Sequence, residues 1–314
     1  MTATDAAAAV GVPELVSTGW LAGRIGSPAL VVLDATVLLL PPARDGDFAV
    51  RSGHGAWAAG HIPGARHADL IGDLSDGTRS YHFARPSVAH LAGVLARWRV
   101  GAGSHVVAYD AGGGIWAARL WWLLRSVGVP VSVLDGGWTA WTAEHRAVEV
   151  GRPLAGATAI GTPATRLQEP GGGPGGPLVI QEDPAAWLDR RDVEDIVAGR
   201  RDDILVCALS PSVYSGSEPT RYARRGHIPG SMNVPARDLT DASGRLLPRA
   251  ELAVRLAPLL ATDGRRLALY CGGGIAAALL ALALTVLGAP GLSIYDGSLE
   301  EWAADPSLPL EVSE

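Results

Sequence analysis

The chain of 314 residues has no lysine, so all 26 of its basic residues are arginine. That absence removes lysine Schiff-base enzymes, pyridoxal-phosphate enzymes and Walker A phosphate loops, each of which needs a lysine. Cysteine is almost as scarce, with Cys207 and Cys271 alone in the sequence. Two such distant cysteines make neither a disulfide framework nor a metal-binding cluster, and they fit a reducing cytoplasm. Positive charge is in deficit: the net charge is -6 and the arginines are dispersed among acids, which argues against a nucleic-acid partner. The longest apolar run, 275–289, is short of the ~20 residues a membrane span needs and reads as a buried helix. Residues 1–10 carry no basic residue and so lack the charged region of a signal peptide, which leads to an expectation of a cytoplasmic protein with no membrane partner.

What is present is a globular composition, 48% hydrophobic and 18% charged, with length enough for about two domains. The chain also repeats itself. GHIPGA at 60–65 returns as GHIPGS at 226–231, VVAYDAGGGI around Asp110 returns as LALYCGGGI around Cys271, and VLDGGWTAW around Asp135 returns as IYDGSLEEW around Asp296. Repeated motifs in one order imply two copies of one fold. Between them, EPGGGPGGP at 169–177 has nothing to pack and reads as a linker. The expected division is therefore 1–160, a linker at 161–177, and 178–314. In each copy short apolar runs alternate with helical patterns, which predicts an α/β fold with a parallel sheet flanked by helices and right-handed crossovers.

In such sheets function gathers where strand ends meet helix N-termini. Cys271 follows the apolar run 267–270 and precedes Gly272, Gly273 and Gly274, after which an Ala/Leu helix begins near Ile275. Glycines there let the backbone amides curl toward one atom, and those amides with the helix dipole favour a thiolate, a nucleophile toward electrophilic sulfur. The alternative is a buried structural thiol ending a strand.

With GHIPG before a cysteine loop, DG-x-x-x-x-W after it, and AARLWWLLRSVG at 117–128, the chain resembles the tandem-domain rhodanese sulfurtransferases over nearly its whole length. The resemblance implies two rhodanese-like domains, of which only the second carries a persulfide-forming cysteine while the first has an acid in its place, here Asp110 against Cys271. It implies ping-pong sulfur transfer without a cofactor or metal, from a small anionic donor (thiosulfate or 3-mercaptopyruvate) through a Cys271 persulfide to a thiol or cyanide. The persulfide loop would be Cys271, Gly272, Gly273, Gly274, Ile275, Ala276 and Ala277, nearer the C-G-S-G-V-T-A pattern of mercaptopyruvate enzymes than the basic loop of thiosulfate enzymes.

Two departures stand out. Gly273 and Ala276 replace the loop's serine and threonine, so both hydroxyls are missing. Upstream, where the family reads D-x-R-x-x-x-R-[FY], the chain has Cys207 for the aspartate and Leu209 and Val213 for the arginines. Arg221 in GSEPTR resembles the family's other substrate arginine, and Arg224 and Arg225 follow, so these three are the expected donor-binding cations. Cys207 is expected either to act as a second thiol, resolving a Cys271 persulfide or pairing with it, or to be a buried filler. The losses leave a second reading open, a degenerate scaffold or sulfur-sensing protein. A C-x5-R phosphatase is disfavoured, because Ala277 stands where the phosphate-binding arginine would. His61 and His227, in matching GHIPG motifs, are expected to be structural, and RSYHFARPS at 79–87 and IWAARLWWLL at 115–124 to be packing segments.

Overall fold

A computed structural model describes residues 12–151, 176 and 178–313. The Gly/Pro segment expected as the linker falls, apart from Gly176, outside the described residues. The strands are β1 (Leu15–Val16), β2 (Leu30–Asp34), β3 (Val37–Leu39), β4 (Val50–Ser52), β5 (Arg66–His67), β6 (His105–Tyr109) and β7 (Val131–Leu134), then β8 (Trp187–Leu188), β9 (Ile204–Cys207), β10 (Met232–Asn233), β11 (Leu267–Tyr270) and β12 (Leu292–Tyr295). They form two five-stranded sheets, ordered β1-β7-β6-β2-β5 and β8-β12-β11-β9-β10, with every pair in both sheets parallel. The two orders are the same order, so the sequence repeat is a repeat of topology. The inner strands β2, β6, β7, β9, β11 and β12 are mostly apolar because both faces of each sheet are covered.

The helices are α1 (Thr18–Ala22), α2 (His54–Ala59), α3 (Val88–Arg97), α4 (Ile115–Arg125), α5 (Gly137–Ala143), α6 (Arg190–Val197), α7 (Pro211–Ser215), α8 (Arg249–Arg255), α9 (Ala257–Leu260), α10 (Ile275–Leu287) and α11 (Ser298–Ala304). The Trp-rich α4 and the Ala/Leu-rich α10 pack against each other between the two sheets. That placement explains why α10 is apolar all round: one side meets its own sheet and the other meets the opposite half. A single apolar cluster runs from Val31 and Leu33 through α4 and α10 to Ile294, so the halves share a core. No helix among the described residues is long and apolar enough to cross a membrane.

One element breaks the symmetry. The antiparallel pair β3 and β4 occurs in the first half alone among the described residues, and the loop between them reaches the second half, where the Gly46 amide donates to the Thr220 carbonyl at 3.0 Å and Asp45 accepts the Thr220 amide at 2.8 Å.

Candidate active site

Cys271 directly follows β11 and is 2% exposed. The turn behind it is built by Gly274, which caps α10 in the left-handed region at φ 74°, a conformation that costs glycine nothing. Gly272 is required for space instead, because a Cβ there would stand 1.6 Å from the Tyr222 hydroxyl. The first amides of α10, those of Ile275, Ala276 and Ala277, have no acceptor one turn back within the helix and are free to face an anion.

The first half shows what such a loop holds. The Asp110 carboxylate accepts the amides of Gly112 (2.6 Å) and Gly114 (2.9 Å) on one oxygen and of Trp116 (2.9 Å) and Ala117 (2.7 Å) on the other. Burial pushes this carboxyl up and the amides oppose the shift. The Asp110 loop is one residue longer than its counterpart, since α4 starts five residues after Asp110 and α10 starts four after Cys271. The side chain in the first half is thus its own anion; in the second it is a thiol in a shorter turn of the same kind.

A hydroxyl reaches the loop from outside it. Ser298 Oγ accepts the Cys271 amide at 3.2 Å and the Gly274 amide at 3.1 Å and donates to the Tyr295 carbonyl at 2.8 Å. Ser298 is fully buried at φ 49°, a strained conformation for serine. Its counterpart is Gly137 at φ 50°, where a Cβ would strike the Asp110 carbonyl at 2.4 Å. The amides of Leu299 (3.1 Å) and Glu300 (2.9 Å) tie the start of α11 to the carbonyls of Cys271 and Gly272.

The segment 81–85, expected to be packing, does pack, and the surface it covers is this loop. Glu300 accepts the His82 amide at 3.1 Å and pairs with the His82 ring at 2.5 Å. Asp296 accepts the Tyr81 hydroxyl (3.3 Å) and the Arg85 amide (2.8 Å), and the His82 carbonyl and Phe83 ring lie over Gly273. Asp296 also pairs with Arg119 of α4 at 2.7 Å, both side chains buried.

The predicted cations are not gathered on the loop. Arg224 is spent on the carbonyls of Trp302, Ala303, Asp305 and Leu308, where it caps the end of α11, and Arg225 is paired with Asp45 of the first half at 2.9 Å. Both guanidinium groups, expected to bind the donor, thus already hold protein acceptors. Arg221 bonds the Leu40 carbonyl at 3.0 Å but leaves a buried Nε without a partner among the described residues. Its neighbour Tyr222 is the residue that touches Gly272; burial, then the Cys271 sulfur, push its phenol well up.

Cys207 pairs in register with Tyr270 and is fully buried. It lies with Leu205, Ala268 and Tyr270 on one face of the sheet, whereas Cys271 lies with Val206, Ala208 and Leu269 on the other. Burial pushes the Cys207 thiol up to about 12. Its counterpart by register is Asp34, which pairs with Tyr109. His61 and His227 are equivalent in structure as in sequence, bonding the carbonyls of Trp57 (2.9 Å) and Tyr214 (2.8 Å) at the base of the GHIPG turns. Tyr222, Ser298 and Arg119 escape sequence reasoning because none lies within the loop motif, though the DG motif at Asp296 points to the right turn.

The rhodanese-like domain family matches residues 17–144 and 213–305. A probable 3-mercaptopyruvate sulfurtransferase of Pseudomonas aeruginosa is 33% identical over 95% of this chain and 97% of its own length. The 3-mercaptopyruvate sulfurtransferase of Escherichia coli K12 is 31% identical over 94% and 97%, and a putative thiosulfate sulfurtransferase of Mycobacterium tuberculosis is 31% identical over 94% and 96%. The crystal structure of the Escherichia coli 3-mercaptopyruvate enzyme SseA superposes with a TM-score of 0.71 at 28% identity, covering 91% of this chain and 99% of that one. Two like-ordered parallel sheets, a cysteine loop in the second and relatives matched end to end lead to one conclusion: the chain belongs to the rhodanese family of sulfurtransferases.

Proposed function

We propose that Cys271 is the sulfur-carrying nucleophile and that its donor is thiosulfate or 3-mercaptopyruvate. The observation that carries this reading is the Asp110 carboxylate in its four-amide nest, because the glycine loop after Cys271 offers the same kind of nest to a thiolate or persulfide. The thiolate attacks the outer, sulfane sulfur of thiosulfate or the thiol sulfur of mercaptopyruvate. The S–S bond of thiosulfate breaks to release sulfite, or the C–S bond of mercaptopyruvate breaks to release an enolate that takes up a proton as pyruvate. The outer sulfur of the persulfide then passes to a thiolate or cyanide, which restores the Cys271 thiolate. No cofactor enters the balance.

Arg221 is the cation we assign to the donor's anionic group, on the strength of its unpartnered Nε and its place beside Tyr222. Residues 1–160 and 178–314 are read as the two rhodanese-like halves, with 161–177 as the linker. The two unpaired, buried cysteines support a reducing compartment such as the cytoplasm.

Intact-mass spectrometry after incubation with each donor tests the assignment. The expected result is a gain of one sulfur with at least one donor, abolished in Cys271→Ser. No gain with either donor would transfer the chain to the scaffold or sulfur-sensing reading.

A further inference from the structure

Arg119 sits in α4, in the half that lacks the cysteine, and its side chain is 3% exposed. Its Nη2 donates to the Phe83 carbonyl at 2.6 Å and to Asp296 at 2.7 Å, and its guanidinium carbon is 4.8 Å from the centre of the Trp187 ring. Its Nη1 is buried with no acceptor among the described residues. That nitrogen lies 2.7 Å from where a Cβ on Gly274 would stand. A buried guanidinium donor left without an acceptor is costly, so a fold that keeps one against the cysteine loop invites a functional account.

The repeat sharpens the point. Counted from the start of each helix, the position of Arg119 in α4 is that of Leu279 in α10. Leu279 faces Gly114, the glycine that caps α4, with Cδ1 4.0 Å from its Cβ position. Each helix therefore reaches the other half's loop with the same position. The Asp110 loop meets a methyl group, and the Cys271 loop meets a guanidinium.

We propose that Arg119 is the positioning residue of the sulfur-transfer loop, a cation lent by the first half to the second. It acts from two sides. Through Asp296 it holds the turn that carries Ser298, whose hydroxyl accepts the amides of Cys271 and Gly274. Directly, its free edge stands behind Gly274 at the N-terminus of α10 and adds a positive charge to the wall of the Cys271 loop. The arrangement gives the first half a role in chemistry that its own loop cannot perform. This deepens the reading of Cys271 as the nucleophile and rests on it.

The test compares Arg119→Leu, the residue of the other copy, with Arg119→Lys and with Leu123→Ala, a buried α4 residue that disturbs packing alone. Alkylation of Cys271 by iodoacetamide is followed by intact mass across pH, beside kcat and KM for whichever donor loads sulfur. Glu300, Asp296, His82, Tyr81, Tyr222, Arg221 and Cys207, the other charged or titratable groups around the loop, are the same in every variant. In Arg119→Leu the alkylation rate at pH 7 should fall about 10-fold, as the loop loses its positioning cation. The same variant should lose about 10-fold or more in kcat at little change in KM. Arg119→Lys should keep the Asp296 pair and recover stability but only part of the rate, since one ammonium cannot face both Asp296 and Gly274. Leu123→Ala should lose stability without lowering the alkylation rate. Should Arg119→Leu fail to fold, Arg119→Lys decides. The proposal is overturned if the folded variants match the wild-type alkylation rate and kcat within about twofold, or if Leu123→Ala lowers the alkylation rate equally. Because alkylation needs no donor, a wild-type protein that never loads sulfur would sink the donor reading and leave this readout standing.

Discussion

The hydroxyl of Ser298 accepts the backbone amide of Cys271 at 3.2 Å, from a residue held at φ 49°. The first half fills the same place with Gly137, so the second half pays backbone strain for a hydroxyl. That hydroxyl also takes the Gly274 amide, which makes it the pin of both ends of the loop. Ser298→Ala leaves two buried amides without an acceptor, a loss of about 1–3 kcal/mol in stability. Turnover should fall by about 10-fold or more through a loosened loop. Denaturant unfolding and steady-state kinetics check both, and a variant with wild-type kcat would show that the pin is structural only.

Gly272 and Tyr222 make a second pair that can be tested by compensation. A methyl group at 272 would overlap the Tyr222 hydroxyl, so Gly272→Ala should displace the phenol or the loop and cut sulfur loading. Tyr222→Ala removes the obstacle. In a double-mutant cycle Gly272→Ala should cost less in the Tyr222→Ala background than alone, with a coupling of about 0.5–3 kcal/mol. Additive costs would mean that the two residues do not meet in the working enzyme.

Much of this was legible in the sequence, and the boundary between legible and hidden follows chain distance. Strand, glycine loop and helix around Cys271 are adjacent in sequence, and the matching loop at Asp110 turned one weak signal into a repeated one. The GHIPG turns read correctly for the same reason: their histidines bond carbonyls 4 and 13 residues away. Arg119 and Asp296 are 177 residues apart, and only the packing of α4 against α10 brings them together. Arg224 shows the converse. An arginine in a loop looks free in sequence, whereas the fold brings four carbonyls from the end of α11 around it. The missing loop hydroxyls were legible as losses, but the hydroxyls of Ser298 and Tyr222 that approach the loop come from other elements.

Cys207 is separated from Cys271 by the sheet itself, since neighbouring strands place the two on opposite faces. A disulfide needs Cβ atoms about 3.5–4.5 Å apart and pointing at one another. With its thiol pushed up to about 12 by burial, Cys207 stays protonated at neutral pH and is a poor nucleophile. Cys207→Ala should therefore load sulfur and turn over like the wild type, at some cost in stability from the cavity. Loss of turnover in a folded variant, or a Cys207–Cys271 disulfide found by mass spectrometry after mild oxidation, would restore the second-thiol reading.

Two histidines should govern stability between pH 7 and 5. Burial holds the imidazoles of His67 and His105 below their ordinary value, aided at His105 by the Arg24 charge. His105 shares its Nε2 with Ser132 Oγ at 2.8 Å, and because Ser132 donates to the Pro13 carbonyl, the ring donates from Nε2. The unfolded chain, with imidazoles near 6.5, then binds more protons than the folded one as pH falls. Stability rises with pH wherever that is so; it is fully present above about 6.5 and is lost as pH drops through the lower folded values. The exposed carboxylates held low, such as Asp45 by the Thr220 amide and Glu144 by the Thr18 hydroxyl, give up their contribution only below their ordinary range near 4, so the two windows are separate. The urea midpoint should drop from pH 7 to pH 5, and the drop should shrink in His67→Gln, in His105→Gln and most in the double variant. An equal drop in the double variant would mean that other groups carry the proton uptake.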